Sequence, residues 1–355
     1  MNMAQTIFQT YRRYRTLQTH RISSLPIVIL MPHSACNCRC VMCDIWKGNN
    51  NLQQLTEEDI RPLLLSLEKL GTRQVLMSGG EALLHPQFFR FCSLLREHRL
   101  SVSLLSTGLT LEKYAPQITE HTREVIISLD GDEATHNAIR NIPDAFRKTV
   151  NGVAAIRKLN PGFRITARTV IHRLNFRQWP AVIAAAREMG LNQVSFLPAD
   201  VSSHAFNREV LWSNQRQQEI LPAEDELPEL HQVMEQIIAT EGTAFRSGFI
   251  AESPDKLRKI YQYYAAFYGY NGFPFKKCNA PWVSAVVEAD GTVRPCFFHE
   301  AMGNIREQPL EAILNSEASI RFRKNLDTDK DSTCARCVCY LNLSPKTKIN
   351  QEPSL

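Results

Sequence analysis

The chain has 355 residues, enough for two domains or for one large domain with an extension. Its composition, 44% hydrophobic and 22% charged, is that of an ordinary soluble globular protein. The 41 Lys and Arg against 36 Asp and Glu leave a net charge of +5 with no basic tract, which gives no case for a nucleic-acid partner.

Residues 5–20 read as a short basic amphipathic helix, preferably a plain solvated one and otherwise an outer brace on the fold. The basic Tyr11-Arg12-Arg13-Tyr14-Arg15 stretch lacks the long apolar region and the cleavage site of an export signal. The apolar run 25–31 is too short to span a bilayer, so a cytoplasmic location away from the membrane is expected. There, ten cysteines serve metal binding better than disulfides.

Residues 26–31 form a compact buried strand that delivers the chain directly to a cysteine loop, 36–43. Thr56 caps a helix through residue 70, with Asp59 as a weak capping-box partner. Residues 74–77 are a strand ending in Ser78-Gly79-Gly80-Glu81. Pro86 opens a helix to His98, and 102–105 is the next strand. Helix 111–118, strand 124–129, helix 144–159, strand 164–171, helix 176–189 and strand 193–197 follow. Six strand–helix units imply parallel strands with right-handed crossovers. Six are too few for a closed eight-stranded barrel, so the fold class is α/β, a partial, open (β/α)6 TIM-like barrel. In such folds the loops after the strand ends build the active site. The cysteine loop, Gly79-Gly80-Glu81, Ser106-Thr107 and Ser128/Asp130 all fall there.

Residues 201–277 break the rhythm and read as a helical connector, either a cover for the barrel mouth or a plain linker. A small cysteine-bearing domain occupies 278–343, and 344–355 is a polar tail expected to be disordered.

Three loop cysteines, Cys36, Cys40 and Cys43, follow the spacing C-x3-C-x2-C. Thiolates this close suit iron–sulfur or zinc chemistry, and three of them leave one position of a four-ligand site open. A zinc knuckle or an unligated group of thiols is the alternative. Gly79 and Gly80 at a strand end let backbone approach a ligand, and the Glu81 carboxylate can accept from an ammonium group. A plain turn is the simpler reading, and His85 reads as a helix-start residue. A second group comprises Cys278, Cys296, Cys334 and Cys337, with a tight hairpin turn at 289–293 between the first two. Four thiolates make a closed site for zinc or a [4Fe–4S] cluster, and the thiols alone do not choose between them. Cys339 could replace Cys337. Cys38 and Cys92 read as non-ligating, Cys92 on the apolar face of a helix.

With Met42 in place of an aromatic residue, the cysteine loop resembles the signature of the radical S-adenosylmethionine (SAM) superfamily. Gly79-Gly80-Glu81, followed by Leu83-Leu84-His85-Pro86, is similar to its GGE motif. Ile127-Ser128-Leu129-Asp130-Gly131 with His136 and Arg140 resembles the subgroup that carries C-terminal auxiliary clusters. Cys278 to Cys337, with Gly303-Asn304-Ile305 and Leu310, resembles the SPASM/twitch extension in its shorter, single-cluster form. The resemblance covers residues 25–200 and 278–343.

It implies SAM and two [4Fe–4S] clusters, the first on Cys36, Cys40 and Cys43 and the second on Cys278, Cys296, Cys334 and Cys337. Gly79, Gly80 and Glu81 would hold the SAM amino group, and Ser128 and Arg140 its ribose or carboxylate. An ordinary ion pair is the bland alternative for Arg140. Arg168 and Asn175 fall where the family places further polar contacts to SAM or substrate. The implied activity is reductive cleavage of SAM to a 5′-deoxyadenosyl radical that takes a hydrogen from the substrate. A closed second cluster suits an electron acceptor, so oxidation of a small molecule is expected, with flavodoxin or ferredoxin as external reductant. Peptide modification is the alternative, although residues 1–24 leave no room for a separate peptide-recognition domain. A non-enzymatic iron–sulfur carrier or zinc-binding module is a third reading, against which the GGE motif and the barrel stand.

Overall fold

The computed structural model describes residues 3–208, 210–347 and 349. Nine strands form one sheet: β1 Ile27–Leu30, β2 Gln74–Met77, β3 Ser101–Ser106, β4 Glu124–Ser128, β5 Arg164–Ile171, β6 Gln193–Pro198, β7 Ser284–Val287, β8 Thr292–Arg294 and β9 Gly303–Asn304. Their order across the sheet is β6-β5-β4-β3-β2-β1-β7-β8-β9. β1 to β6 are parallel to their neighbours, as the alternating sequence requires. β7 is parallel to β1, and only β8 and β9 run antiparallel. The hairpin expected for the cysteine-bearing region therefore continues the barrel's own sheet.

Between and before these strands, the α-helices of the described first 200 residues are α1 Met3–Thr19, α2 Glu57–Lys69, α3 Phe88–Glu97, α4 Leu111–His121, α5 Glu133–Arg140, α6 Ala145–Leu159 and α7 Trp179–Glu188. Asp59 Oδ2 accepts from Thr56 N at 2.9 Å, the expected capping interaction. Pro86 lies ahead of its helix, because α3 starts at Phe88. Helix α5 was not among the predicted elements; at eight residues it shows too little periodicity to read from sequence.

The apolar residues of alternate strand positions pack beneath the helices. Trp179 of α7 meets Phe196 of β6 edge to face at 5.2 Å, so Ser195 and Leu197 point to the other, open face. That face is polar at its base. Gln74 donates to Ser103, Ser103 to Glu124, and Arg164 to both Glu124 and Gln193, a ladder from β2 to β6.

The connector is more than a spacer. It carries α8 Asn214–Gln218, α9 Leu227–Thr240, α10 Gly242–Ser247 and α11 Pro254–Phe267. Ile250 pairs with Val194 and covers the outer edge of β6. Tyr264 Oη receives Ala199 N and donates to Ile171 O, tying α11 to the ends of β5 and β6. The predicted polar tail falls largely outside the described residues. Among the described residues no helix is long and apolar enough to cross a membrane.

Candidate functional site

The cysteine loop leaves the end of β1 and is pinned from several sides. Arg39 N and Val41 N donate to Arg140 O and Ile139 O, both at 3.0 Å, so the last turn of α5 receives the loop. Glu81 N donates to Ala35 O at 2.8 Å. Asn49 brackets Cys36, receiving its N–H at 3.0 Å and donating to its carbonyl at 2.9 Å. Donors also point at sulfur: Cys38 N to Cys36 Sγ, Ile45 N to Cys43 Sγ, both 3.5 Å, and Arg140 Nη1 to Cys40 Sγ at 3.4 Å.

The central thiol, Cys38, is fully buried and hydrogen-bonds to both Cys36 and Cys40. These bonds pull the Cys36 pKa down and bring Cys40 to about 6, with Arg140 adding to the effect at Cys40, while Cys38 itself is raised. Burial, with the Cys40 charge next, pushes Cys43 up to about 12. Three thiols on one short loop, two of them with lowered pKa, and N–H donors aimed at sulfur fit an iron–sulfur cluster, whose ligands must be thiolates. Cys92 lies on the buried face of α3, in the apolar core.

Gly79 and Gly80 have a tighter constraint than expected. A Cβ on Gly80 would stand 2.1 Å from Ala35 O, and one on Gly79, at φ +119°, 2.8 Å from His33 O. The close approach is to the cysteine loop itself. Glu81 is 1% exposed, and its carboxylate receives Thr107 N at 2.6 Å, Thr107 Oγ1 at 2.7 Å, Ser106 Oγ at 3.1 Å and Leu83 N at 3.2 Å. Burial raises its pKa against these bonds. His85 is buried and bonded to Leu55 O, a packing role.

The predicted contacts after β4 and β5 divide into two sets. Ser128 ends β4 half-buried, opposite Arg168 of β5, which donates to Ser195 at 3.4 Å on the open face. Arg140 and Asn175 face inward instead. Arg140 is 7% exposed, pairs with the fully buried Asp130 at 2.5 Å and donates to Cys40 Sγ at 3.4 Å. Asn175 donates to Asp130 O and Val170 O and receives His172 N, which commits its amide to the backbone. The reading of Asn175 as a ligand contact is thereby corrected.

Sequence reasoning missed the strap that follows β6. Arg208, 2% exposed, pairs with Asp200 and donates to Met42 O at 3.4 Å. Its guanidinium lies 4.0 Å from the centre of the Trp212 ring, and Arg216 lies 4.7 Å from the same ring. Trp212 Nε1 donates to Asp44 Oδ2 at 2.8 Å, and Arg216 donates to Val41 O. Three residues of the strap, Arg208, Trp212 and Arg216, thus clasp the loop that α5 also holds. Polar and aromatic residues scattered through a loop give no periodic signal, and their partners lie far away in sequence.

The second thiol group is gathered into one cavity lined by Cys278, Cys296, Cys334, Cys337 and Cys339, together with Lys276 and His299. His299 Nε2 lies 3.3 Å from Cys334 Sγ and 3.9 Å from Asp331. Burial pushes Cys296 up to about 11 and raises Cys334 and Cys337 further, and it lowers Lys276 to about 8. Five thiols exceed what one four-ligand cluster needs, which fits a fully ligated site. Phe206 of the strap meets Phe298 of this region at 6.3 Å, and Asn207 reaches Ile45 O at 3.5 Å, so the strap touches both thiol groups.

Comparison with known proteins agrees with this arrangement. The family model of the radical SAM superfamily matches residues 30–196, and that of an iron–sulfur cluster-binding domain, SPASM, matches 278–338. AdoMet-dependent heme synthase of Methanosarcina barkeri is 26% identical over 345 residues, 90% of this chain and 93% of that protein. PqqA peptide cyclase of Gluconobacter oxydans is 25% identical over 257 residues, 70% of this chain and 64% of that protein. The crystal structure of Streptococcus suis SuiB bound to S-adenosylmethionine shares the fold, with TM-score 0.62 and 12% identity over 95% of this chain and 79% of that one. The cofactors are accordingly [4Fe–4S] clusters and SAM. The chain belongs to the radical SAM superfamily and carries a C-terminal SPASM-type iron–sulfur domain.

Proposed function

We propose that this enzyme oxidises a small molecule, removing hydrogen from it at the expense of one SAM per product. The observation that carries this reading is the second cavity, with thiols enough to close a cluster that has no open site. Such a cluster has little use in a redox-neutral rearrangement and a clear one as acceptor of an electron from a substrate radical. When bound, SAM and the open cluster together supply a 5′-deoxyadenosyl radical, given one electron from a reductant of the flavodoxin or ferredoxin kind.

The chain's own residues bind and orient. Cys36, Cys40 and Cys43 are assigned to the first cluster, and Cys278, Cys296, Cys334 and Cys337 to the second. Glu81, a buried carboxylate held by neutral donors, complements an ammonium group, and Gly79 and Gly80 bring the β2 end against the cluster loop. Ser128 and Arg168 offer a hydroxyl and a cation on the open face for the carboxylate or ribose. The strap covers one side of the loop through Arg208, Trp212 and Arg216, which would restrict access of bulk solvent to the cluster.

A small-molecule substrate is supported by the heme synthase relative, which aligns over nine-tenths of this chain. A peptide substrate is the second reading, favoured by the match to PqqA peptide cyclase. The test is to incubate the anaerobically loaded, reduced enzyme with SAM and candidate aminocyclitols, sugars, iron porphyrins and peptides, following 5′-deoxyadenosine and substrate mass together. Loss of two hydrogens or of an oxidised fragment in step with 5′-deoxyadenosine is expected. A cross-linked peptide moves the assignment to the second reading. SAM regenerated with an isomerised product overturns both.

A further inference from the structure

Buried inside the α5 end of the site is an ion pair that the proposed reaction does not use. Asp130 is 0% exposed and Arg140 7%. His136 approaches Asp130 Oδ2 at 3.7 Å, but its Nδ1 already accepts Asp130 N at 3.2 Å and so has no proton to give the carboxylate. Arg140 is therefore the cation that Asp130 holds. Replacing a buried pair by apolar side chains is often neutral or stabilising, so stability alone is a weak reason for this one.

Its geometry suggests another use. The Arg140 guanidinium presents one nitrogen, Nη2, to Asp130 and the other, Nη1, to Cys40 Sγ. The same turn receives Arg39 N and Val41 N through Arg140 O and Ile139 O, and Asn141 ends the helix there in a left-handed conformation, φ 51°. Backbone fixes the position of the loop relative to the helix end, and the ion pair with Asp130 anchors the guanidinium through Nη2 while Nη1 faces the sulfur. A charged N–H held against a ligating sulfur draws electron density from it and favours the more negative, reduced state of a cluster.

We propose that Arg140, held by Asp130, is a positioning residue that raises the reduction potential of the SAM-binding cluster through its hydrogen bond to the Cys40 sulfur. This rests on the assignment of Cys36, Cys40 and Cys43 to that cluster. Arg140 acts on the ligand rather than on SAM, and its effect falls on how readily the external reductant loads the first electron.

The test is an EPR-monitored redox titration of the anaerobically loaded full chain in Arg140→Gln, Arg140→Lys and Asp130→Asn. The Cys36/Cys40/Cys43→Ala protein supplies the auxiliary-cluster signal alone. Expected is a lower midpoint for the SAM-responsive signal in Arg140→Gln, partial recovery in Arg140→Lys, a smaller drop in Asp130→Asn, and an unmoved auxiliary midpoint. A loaded Arg140→Gln with the wild-type midpoint overturns the proposal, as does an equal shift of both clusters. Should Arg140→Gln not retain iron, Arg140→Lys decides: a lowered midpoint supports the proposal, and an unchanged midpoint or a failure to load overturns it. A SAM-responsive signal that persists in the triple cysteine protein would instead refute the ligand assignment.

Discussion

A single hydrogen atom at position 80 decides whether the cysteine loop can lie where it does. Alanine there would put a methyl group 2.1 Å from Ala35 O, a backbone atom that cannot swing away. Gly80→Ala should therefore displace the loop and lose about half of the bound iron, on a count of four per cluster, while the auxiliary cluster stays loaded. Iron analysis and the EPR spectrum check this, and full iron content would refute it. Glu81→Ala should act differently, weakening SAM binding with both clusters in place, and equilibrium binding of SAM to the loaded protein reads it directly. The sequence makes these positions conspicuous through their resemblance to a known motif. It suggests ligand approach as the reason for the glycines, whereas the contact is with residues 33–35 of the same chain. Arg140 shows the same limit: a motif places the residue after β4, but only the fold shows that its side chain turns toward Cys40.

At the scale of elements, the cluster loop is a short irregular segment held between two others, the last turn of α5 and the strap after β6. Neither is periodic enough to announce itself, whereas the six strands and five of their helices are, because each buries an apolar face at a fixed spacing. The strap makes its own prediction. Trp212→Phe keeps the ring between Arg208 and Arg216 and removes only the bond to Asp44. A bond of this kind contributes about 1 kcal/mol, so the first cluster should be lost to a chelator roughly five-fold faster than in the parent. Arg208→Met strands the Asp200 carboxylate in a buried setting and should cost about 3–5 kcal/mol. Equal chelation rates in Trp212→Phe and the parent would show that the strap does not hold the loop.

For the molecule as a whole, two buried histidines set an acid limit. Burial, and then the charge of Arg140, lower His136 and His172 to about 3, from the ordinary value near 6.5. Unfolded, both take up a proton below about pH 6.5; folded, they do not until about pH 3. The unfolded state binds more protons in that window, so stability falls as pH falls through it, by up to about 1.4 kcal/mol per pH unit for each histidine. Urea midpoints measured from pH 7 to 5 should decline, and His172→Gln should flatten the decline; a pH-independent midpoint would contradict the assignment. The C-terminal cysteine region belongs to the same account of the whole. Because β7 pairs along the full length of β1, a chain ending at residue 277 should lose cooperative unfolding rather than leave an intact barrel, as circular dichroism would show.

The seat of β7 also has a consequence in time. β1 is made well before its second partner β7, so one side of the strand waits while residues 31–283 are translated. At about 5–20 residues per second that wait is roughly 13–50 s, long against most folding steps. Closing so large a loop is also entropically costly, and contacts this distant slow a folding reaction. Iron delivered before release would meet a first thiol loop whose sheet still has a bare edge, and a second thiol set only partly made. Cluster insertion is thus expected to follow synthesis of β7, and nascent chains arrested before residue 284 should bind chaperones through the open side of β1.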